Sequence, residues 1–190
     1  VSAIGLAVAG FLDSDRQTVR FAPHLPWRDA NVVKRLSLLL PCPLQLEHDA
    51  NSAAWGEYRF GAARGADNWV LFALGTGIGG AMMQGGEIYR GAYGTAPEFG
   101  HLTVVPDGRP CSCGKRGCLE RYCSGTALVT TAQELSESGR YFSRLTDGLV
   151  AGSVTGTDVV SAARQGDELA LAAIDDFATW LGRGLSMVGD

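Results

Sequence analysis

Three cysteines within a span of eight residues constrain the fold of this chain more than any other feature of its sequence. Cys111, Cys113 and Cys118 stand in the glycine-rich segment CSCGKRGC, and His101 precedes Cys111 by ten residues. Three thiolates and one imidazole make a complete tetrahedral ligand set for Zn²⁺, and a closed set of four protein ligands is typical of a structural metal. The spacing therefore predicts a structural zinc loop, with three ordinary buried thiols as the alternative.

The other glycines and cysteines agree with this interpretation. Gly114 and Gly117 allow the loop to turn tightly enough to direct three sulfurs at one centre. The chain has five cysteines, and the two outside the cluster, Cys42 and Cys123, follow no ligand pattern. Free cysteine is among the most buried residue types, so we expect both in the core. Clustered cysteines indicate a metal site in a reducing compartment rather than a disulfide framework.

The composition excludes several classes of protein. Of the 190 residues, 46% are hydrophobic, which is too many for a disordered chain. A net charge of −4 argues against nucleic-acid binding, and so against a nucleic-acid-binding zinc module. No run approaches the ~20 apolar residues of a membrane span. The first residues show no basic segment followed by a small-residue cleavage site, so we do not expect export. We therefore expect a cytoplasmic protein without nucleic-acid or membrane partners.

Strand-like and helix-like patterns are mixed along the chain, which predicts an α/β class. The strand-like runs are residues 3–12, 18–22, 44–47 and 68–74, followed by a hairpin through Gly85 and Gly86 that links 81–84 to 87–90. The helical patterns are residues 31–40, 49–60 and 126–136, a helix capped by Thr157, and a stripe of Leu169, Ala173, Phe177, Leu181 and Leu185. The chain opens without Met on a strand that needs a neighbour, so we expect the interior of a longer protein.

The segment 75–80 matches the glycine pattern G-x-G-x-x-G of dinucleotide-binding proteins. That pattern must open a helix, whereas the next residues here resemble a strand and a turn, which disfavours a dinucleotide-dependent oxidoreductase. A glycine-rich hairpin can instead present backbone N–H groups and the Thr76 hydroxyl to a phosphate. A tight turn packed for shape is the alternative.

Three acidic residues stand at positions suited to chemistry. Asp49 opens a predicted helix, where the helix dipole favours the ionised carboxylate that a general base requires, although a plain N-cap is the alternative. Glu98 lies three residues before His101, and Glu120 two residues after Cys118. A zinc-folded loop would bring Glu98 and Glu120 together for a hydroxyl-rich ligand, with solvated surface charges as the alternative.

Four segments occur in an order that resembles the ROK family of sugar kinases and repressors. They are EHDANSAAWGE (47–57), LGTGIGGA (74–81), EFGH (98–101) and CSCGKRGCLE (111–120), with further support from AGFLD…APHLPWRD (9–29). The resemblance covers nearly the whole chain. It implies an actin-like ATPase (ribonuclease H-like) fold in which residues 1–48 are a remnant of a small α/β domain. Residues 49–190 would then be a large α/β domain that holds the zinc loop and is incomplete at its C-terminus.

The resemblance also implies a function, ATP-dependent phosphorylation of the 6-hydroxyl of glucose or a related hexose, with Mg²⁺ accompanying ATP. Asp49 resembles the catalytic base. The implied sugar ligands are His48, Glu98, His101 and Glu120. The implied ligands of structural Zn²⁺ are His101, Cys111, Cys113 and Cys118, so that His101 would serve both zinc and sugar. The implied phosphate-binding hairpin is Gly75, Thr76 and Gly77.

Two departures from the family pattern bear on this expectation. His48 stands where the family usually has Asn before the catalytic Asp, although a neutral imidazole can both donate and accept hydrogen bonds. The family's first phosphate loop, Asp-x-Gly-Gly-Thr, and its adenosine-binding glycine segment are absent from these 190 residues. A sugar-responsive transcriptional repressor is the alternative function, disfavoured by the presence of Asp49 and the glycine hairpin. ATP is expected over polyphosphate, and the family tendency is a homo-oligomer.

Overall fold

The computed structural model describes residues 1–22, 25–95 and 97–189 and forms two compact units. The first unit comprises residues 1–73 and 80–98, and the second comprises residues 74–79 and 99 onward. The predicted domain boundary between residues 48 and 49 stays a prediction, because compactness and the domain division of a fold are different properties. Pro23 and His24 of the segment 9–29, and the last residue of the predicted large domain, lie outside the described residues.

The N-terminal part of the first unit, residues 1–60, contains two small sheets around one apolar core. Strands β1 (Ile4–Val8) and β5 (Leu44–His48) pair in parallel, with Val8 opposite His48. Strands β2 (Phe11–Leu12), β3 (Thr18–Phe21) and β4 (Arg28–Asn31) form an antiparallel sheet. Helices α1 (Val32–Ser37) and α2 (Asp49–Phe60) complete this part. The buried core residues are Val8, Leu12, Val19, Ala22, Val32, Val33 and Leu46.

Steric contact, helix capping and strand propensity explain where the first strands and helix differ from those predicted from the sequence. The strand predicted over 3–12 is two strands, because the chain bends at Gly10, where a Cβ would lie only 2.9 Å from the Phe21 carbonyl oxygen. The helix predicted over 31–40 is only six residues long. It begins after Asn31, whose side chain accepts a hydrogen bond from the Lys34 N–H at 2.8 Å. Strand β4 was not predicted, since its sequence RDAN lacks β-branched residues.

A third sheet follows in chain order. It consists of β6 (Trp69–Leu74), β7 (Ile78–Gln84) and β8 (Glu87–Ile88). Gly85 and Gly86 have φ values of 59° and 78°, as the tight turn of a hairpin requires, so the predicted hairpin is confirmed. The glycine match at 75–80 leads into strand β7 and opens no helix, as expected.

The second unit consists of an irregular loop followed by four helices. Two 3₁₀ turns, Phe99–His101 and Leu119–Arg121, begin and end the loop. The helices are α3 (Gly125–Glu137), α4 (Thr146–Val150), α5 (Gly156–Arg164) and α6 (Glu168–Gly189). Their buried core is Leu128, Ala132, Leu149, Val159, Ala162, Leu169, Ala170 and Ala173.

Two details of the helices correct the sequence prediction. The cap of α5 is Thr155 and not Thr157, because Thr155 and Asp158 form a capping box. The predicted stripe on α6 is buried at Leu169 and Ala173, whereas Leu185 is 45% exposed. Among the described residues, no helix has the length and apolar character that crossing a membrane requires.

Candidate functional site

The predicted zinc ligands lie together in the second unit. The ligand atoms of His101, Cys111, Cys113 and Cys118 all lie within 4.8 Å of one another. The Cys111 Sγ is 3.6 Å from the His101 Nδ1, and the Cys113 Sγ is 3.6 Å from the Cys118 Sγ. Three sulfurs and one imidazole nitrogen converging on one centre fit the donor set that Zn²⁺ prefers in structural sites.

Backbone hydrogen bonds shape the loop that carries these ligands. The Cys111 N–H donates to the Lys115 carbonyl at 2.9 Å, and the Gly114 N–H donates back to the Cys111 carbonyl at 3.1 Å. Gly114 and Gly117 have φ values of 88° and 74°, a region open to glycine. At the other side of the loop the Leu119 N–H donates to the Leu102 carbonyl at 2.8 Å. This pairing brings the segment of His101 beside that of Cys118.

The thiols of the cluster differ in acidity. Burial raises the pKa of Cys118 to about 12, and hydrogen bonds to Cys113 and Cys111 act in the same direction. Burial also acts to raise the pKa of Cys113, but the backbone N–H of Lys115 and hydrogen bonds with its cysteine neighbours outweigh it, so that this pKa is lowered. Zinc binds thiolates, so a metal entering this cluster must displace the Cys118 proton.

The two cysteines outside the cluster have different surroundings. Cys123 is buried, its Sγ–H donates to the Leu119 carbonyl at 3.7 Å, and burial raises its pKa to about 12. A thiol of that kind is inert. Cys42 is only half-buried, in the short turn before β5, so the prediction of a core position is wrong for this residue.

Glu120 connects the metal loop with the glycine hairpin. Its Oε2 accepts a hydrogen bond from the Ile78 N–H at 3.0 Å, and its Oε1 lies 3.8 Å from the Cys111 Sγ. No sequence motif indicates the contact with Ile78, which spans 42 positions. Glu120 is therefore in contact with the metal cluster and the hairpin at once.

The first residues of helix α3 donate hydrogen bonds to the carbonyl groups of the glycine hairpin. The Gly125 N–H donates to the Gly75 carbonyl at 2.8 Å, and the Thr126 hydroxyl donates to the Thr76 carbonyl at 2.9 Å. Within the part of the chain that the structure describes, the N–H groups of Thr76 and Gly77 donate to no protein acceptor. Backbone N–H groups left in this way at a glycine-rich turn are suited to an anion.

A cavity of about 900 Å³ lies beside this hairpin, entirely within the second unit. Its walls are the hairpin and the first turns of α3 and α5, with Thr76, Thr126 and Thr155 contributing hydroxyl groups. Phe177 and Val160 provide apolar surface. A cavity of this size and mixed lining accommodates a ligand as large as a nucleotide.

Asp49 lies at the junction of strand β5 and helix α2 in the first unit. His48 occupies the N-cap position and makes no side-chain capping bond, so the plain N-cap interpretation of Asp49 is wrong. The Asp49 Oδ1 accepts a hydrogen bond from the Ala50 N–H at 2.8 Å and lies 3.3 Å from the His48 Nε2. Its side chain is 53% exposed, and the first turn of the helix places a positive dipole end beside it.

A half-buried group of ion pairs anchors the strand end just before Asp49. Glu47 accepts hydrogen bonds from Arg90 at 2.6 Å, Arg16 at 3.1 Å and the Asn51 side-chain amide at 3.0 Å. Burial acts to raise the pKa of Glu47, but the hydrogen bonds from Arg90 and Asn51 and the charge of Arg90 outweigh it, so that the pKa is lowered. Sequence reasoning missed this pair, since 43 positions separate its partners.

The predicted site residues are divided between the two units. His48, Asp49 and Glu98 belong to the first unit. The second unit brings together His101, Glu120 and the hairpin with the three cysteines. Convergence of Glu98 with Glu120, and of all five predicted sugar-site residues on one ligand, stays a prediction.

Known proteins resemble this chain over nearly its whole length. A family model described as the ROK family matches residues 1–188. A glucokinase of Streptomyces coelicolor is 40% identical over 98% of this chain and 60% of its own length. The xylose repressor of Bacillus subtilis is 34% identical over 97% of this chain and 44% of its own length. The chain thus spans about 60% of the length of the glucokinase relative.

Solved structures agree with these comparisons. The ROK family glucokinase of Streptomyces griseus, in complex with glucose and AMPPNP, superposes with a TM-score of 0.85 at 40% identity. The match covers 99% of this chain and 61% of the other. The fold is accordingly the actin-like ATPase fold predicted from the sequence motifs. On the match of residues 1–188, the chain belongs to the ROK family.

Proposed function

We propose that the protein is an ATP-dependent sugar kinase that transfers the γ-phosphoryl group to the 6-hydroxyl of glucose. The observation that carries the proposal is the position of Asp49. Its carboxylate opens a helix, is half exposed and is not used as the helix cap. The proposal is supported by 40% identity to a glucokinase and by a similar structure that binds glucose and AMPPNP.

In this mechanism Asp49 accepts the proton of the sugar hydroxyl as the oxygen attacks the phosphoryl group. The Asp49 carboxylate lies in the first turn of helix α2 and is 53% exposed, so a sugar hydroxyl can reach it. Phosphoryl transfer otherwise asks a protein for positioning and charge stabilisation. The N–H groups of Thr76 and Gly77 would bind a phosphate oxygen of ATP. Mg²⁺ bound with ATP would neutralise charge on its phosphates.

The proposed sugar-binding residues are His48, Glu98, His101 and Glu120. Carboxylates and imidazoles that pair with sugar hydroxyls reject a sugar that leaves them unpaired, so they supply selectivity. Structural Zn²⁺ would be held by His101 and the three cysteines and would order the loop without taking part in the reaction. The Nδ1 of His101 faces the cluster, which leaves its other ring nitrogen for a sugar hydroxyl.

A sugar-responsive repressor is the second candidate. The similarity to a xylose repressor covers 97% of this chain, nearly as much as the similarity to the glucokinase. A repressor has no use for a catalytic base, so Asp49 and the open N–H groups of the hairpin favour the kinase. A cytoplasmic location, a homo-oligomer and the use of ATP over polyphosphate stay predictions.

Replacement of the proposed base tests the function. In the full-length protein, Asp49→Asn should lower kcat for glucose phosphorylation by about 10²–10⁴-fold, the usual contribution of a general base. Glucose affinity, measured by calorimetry, should change little, because asparagine retains the size and one acceptor oxygen. Asp175→Asn, at an exposed position on α6, is the matched control.

Two results would contradict the proposal. A near-normal rate in Asp49→Asn would exclude Asp49 as the base. If the unaltered protein binds sugars yet phosphorylates none of a panel of hexoses, the repressor would be the better candidate.

A further inference from the structure

We propose that Glu120 is a positioning residue that ties the glycine hairpin at 74–79 to the metal loop. Metal in the cluster of His101, Cys111, Cys113 and Cys118 would then hold the backbone of Ile78 in place. The proposal concerns how the hairpin is held, and only its consequence for nucleotide affinity rests on the proposed kinase function.

The first contact is the hydrogen bond from the Ile78 N–H to Glu120. Glu120 lies in the 3₁₀ turn Leu119–Arg121, and the residue that caps this turn is the metal ligand Cys118. The carboxylate that holds Ile78 therefore stands only two residues from a metal ligand, on the same rigid turn. A metal bound to Cys118 would fix the first residue of this turn. It would thereby also fix the Glu120 Oε2, which lies 3.0 Å from the Ile78 N.

The second contact comes from the other end of the metal loop. Gly100 precedes the ligand His101, and a Cβ at Gly100 would overlap the Ile78 carbonyl oxygen. The peptide group before Ile78 is thus hydrogen-bonded to Glu120, two residues after Cys118, and the peptide group after Ile78 packs closely against Gly100, next to His101.

The residue at position 77 gives independent evidence that the hairpin is built to allow the close approach of the Glu120 carboxylate. A Cβ on Gly77 would overlap the Glu120 carboxylate, whereas its φ lies outside the left-handed region. Glycine is therefore needed at position 77 for the close contact and not for its conformation. Gly75, in the same hairpin, has no atom within 4 Å of a built Cβ.

The two ends of the hairpin consequently differ in what holds them. The carbonyls of Gly75 and Thr76 are bound by the start of helix α3, which Ser124 caps with its side chain. Ile78 is bound by the metal loop. Loss of metal should release the Ile78 end and leave the α3 end in place.

Amide hydrogen exchange at Ile78, measured by NMR in the full-length protein, tests this directly. With zinc bound, the Ile78 amide should be protected, and removal of zinc with a chelator should speed its exchange by about tenfold, as loss of a hydrogen bond to a charged acceptor implies. The amides of Gly125 and Thr126 should change much less. Equal exchange at Ile78 with and without zinc would overturn the proposal.

Variants separate the role of Glu120 from general folding. With zinc bound, the Ile78 amide hydrogen should exchange in Glu120→Ala and in Gly77→Ala about as fast as it does in the zinc-free, unaltered protein. Glu120→Gln keeps an acceptor oxygen and should retain most of the protection. Gly75→Ala is the matched control for an alanine in the hairpin and should leave the protection of Ile78 by zinc intact. Protection that survives in Gly77→Ala would overturn the proposal even if Glu120→Ala does not fold.

A second measurement connects the hairpin with nucleotide. In the unaltered protein, affinity for AMPPNP should fall by about tenfold on zinc removal. In Glu120→Ala the affinity for AMPPNP should already be low with zinc bound, and zinc removal should not lower it further. If zinc protects Ile78 but the full-length protein binds no nucleotide, the positioning role stands and the proposed kinase function fails. If nucleotide binds with an affinity that zinc does not alter, the kinase function stands and the coupling fails.

Discussion

Within the second unit, the metal loop at 99–121 and the helices at 125–189 obtain their order in different ways. The helices bury a continuous apolar core and have caps such as Ser124 and Thr155, so their stability is spread over many contacts. The loop has only two 3₁₀ turns and two isolated β-bridges among its described residues. Its order depends on a few specific contacts, and we expect it to depend also on metal at the four proposed ligands. Two of the proposed sugar-binding residues, His101 and Glu120, lie in this loop, the region with the less regular structure.

One arginine makes several of the contacts between the two regions. Arg109 donates to the Arg121 carbonyl at 2.7 Å within the loop and to the Glu134 carboxylate of α3 at 2.5 Å. Its guanidinium also stacks on the Tyr122 ring, which in turn packs against Trp180 of α6 at 4.9 Å between centroids. These contacts hold the loop against the helices, and the proposed metal would hold its other side.

Removal of the metal should show the largest difference in behaviour between the loop and the helices. The binding free energy of a structural zinc is on the order of 10 kcal/mol, so chelation should unfold the loop locally while the helical core persists. Hydrogen exchange followed by mass spectrometry should rise across 99–121 and stay low in the cores of α3 and α6. Glucose affinity should fall too, because His101 and Glu120 lie in the loop. An unchanged glucose affinity would contradict the dual role of His101.

A pair of glycine substitutions tests how closely the loop is packed. Gly117→Ala places a Cβ on the Val105 carbonyl in a left-handed conformation, and should cost roughly 3 kcal/mol or more. Gly114→Ala has the same conformational cost but open space around it, and should cost only about 1–2 kcal/mol. Thermal unfolding of the zinc-loaded protein measures both. Equal costs would show that only backbone conformation matters in this loop.

A second pair tests the contact between the helices and the loop. Gly184 of α6 is buried against the Leu119 side chain, and Gly184→Ala should destabilise the protein by about 1–3 kcal/mol through overpacking. Gly182→Ala, two positions earlier with nothing within 4 Å of its Cβ, should stabilise it by about 0.5–1 kcal/mol through helix propensity. Chemical denaturation gives both values. Opposite signs are expected, and a stabilising Gly184→Ala would show that Leu119 is free to move aside.

Much of the site could be predicted because its signals are local. The clustering of His101 with three cysteines follows from donor chemistry and spacing, and the hairpin at Gly85 and Gly86 follows from turn conformation. The start of the helix at Asp49 was likewise evident. Strand β4, helix α4 and the cap Thr155 were missed or misplaced, because short elements with weak propensity depend on what they pack against.

By itself, the sequence determined the family, the clustering of His101 with three cysteines and the start of the helix at the proposed base, since residue type, spacing and helix-start chemistry act within a few residues. Only the tertiary structure decided which residues hold these groups in place. Glu120 reaches Ile78 across 42 positions, and Arg90 reaches Glu47 across 43. No periodicity or motif connects such partners, because the hydrogen bond between them forms only after the intervening chain has folded.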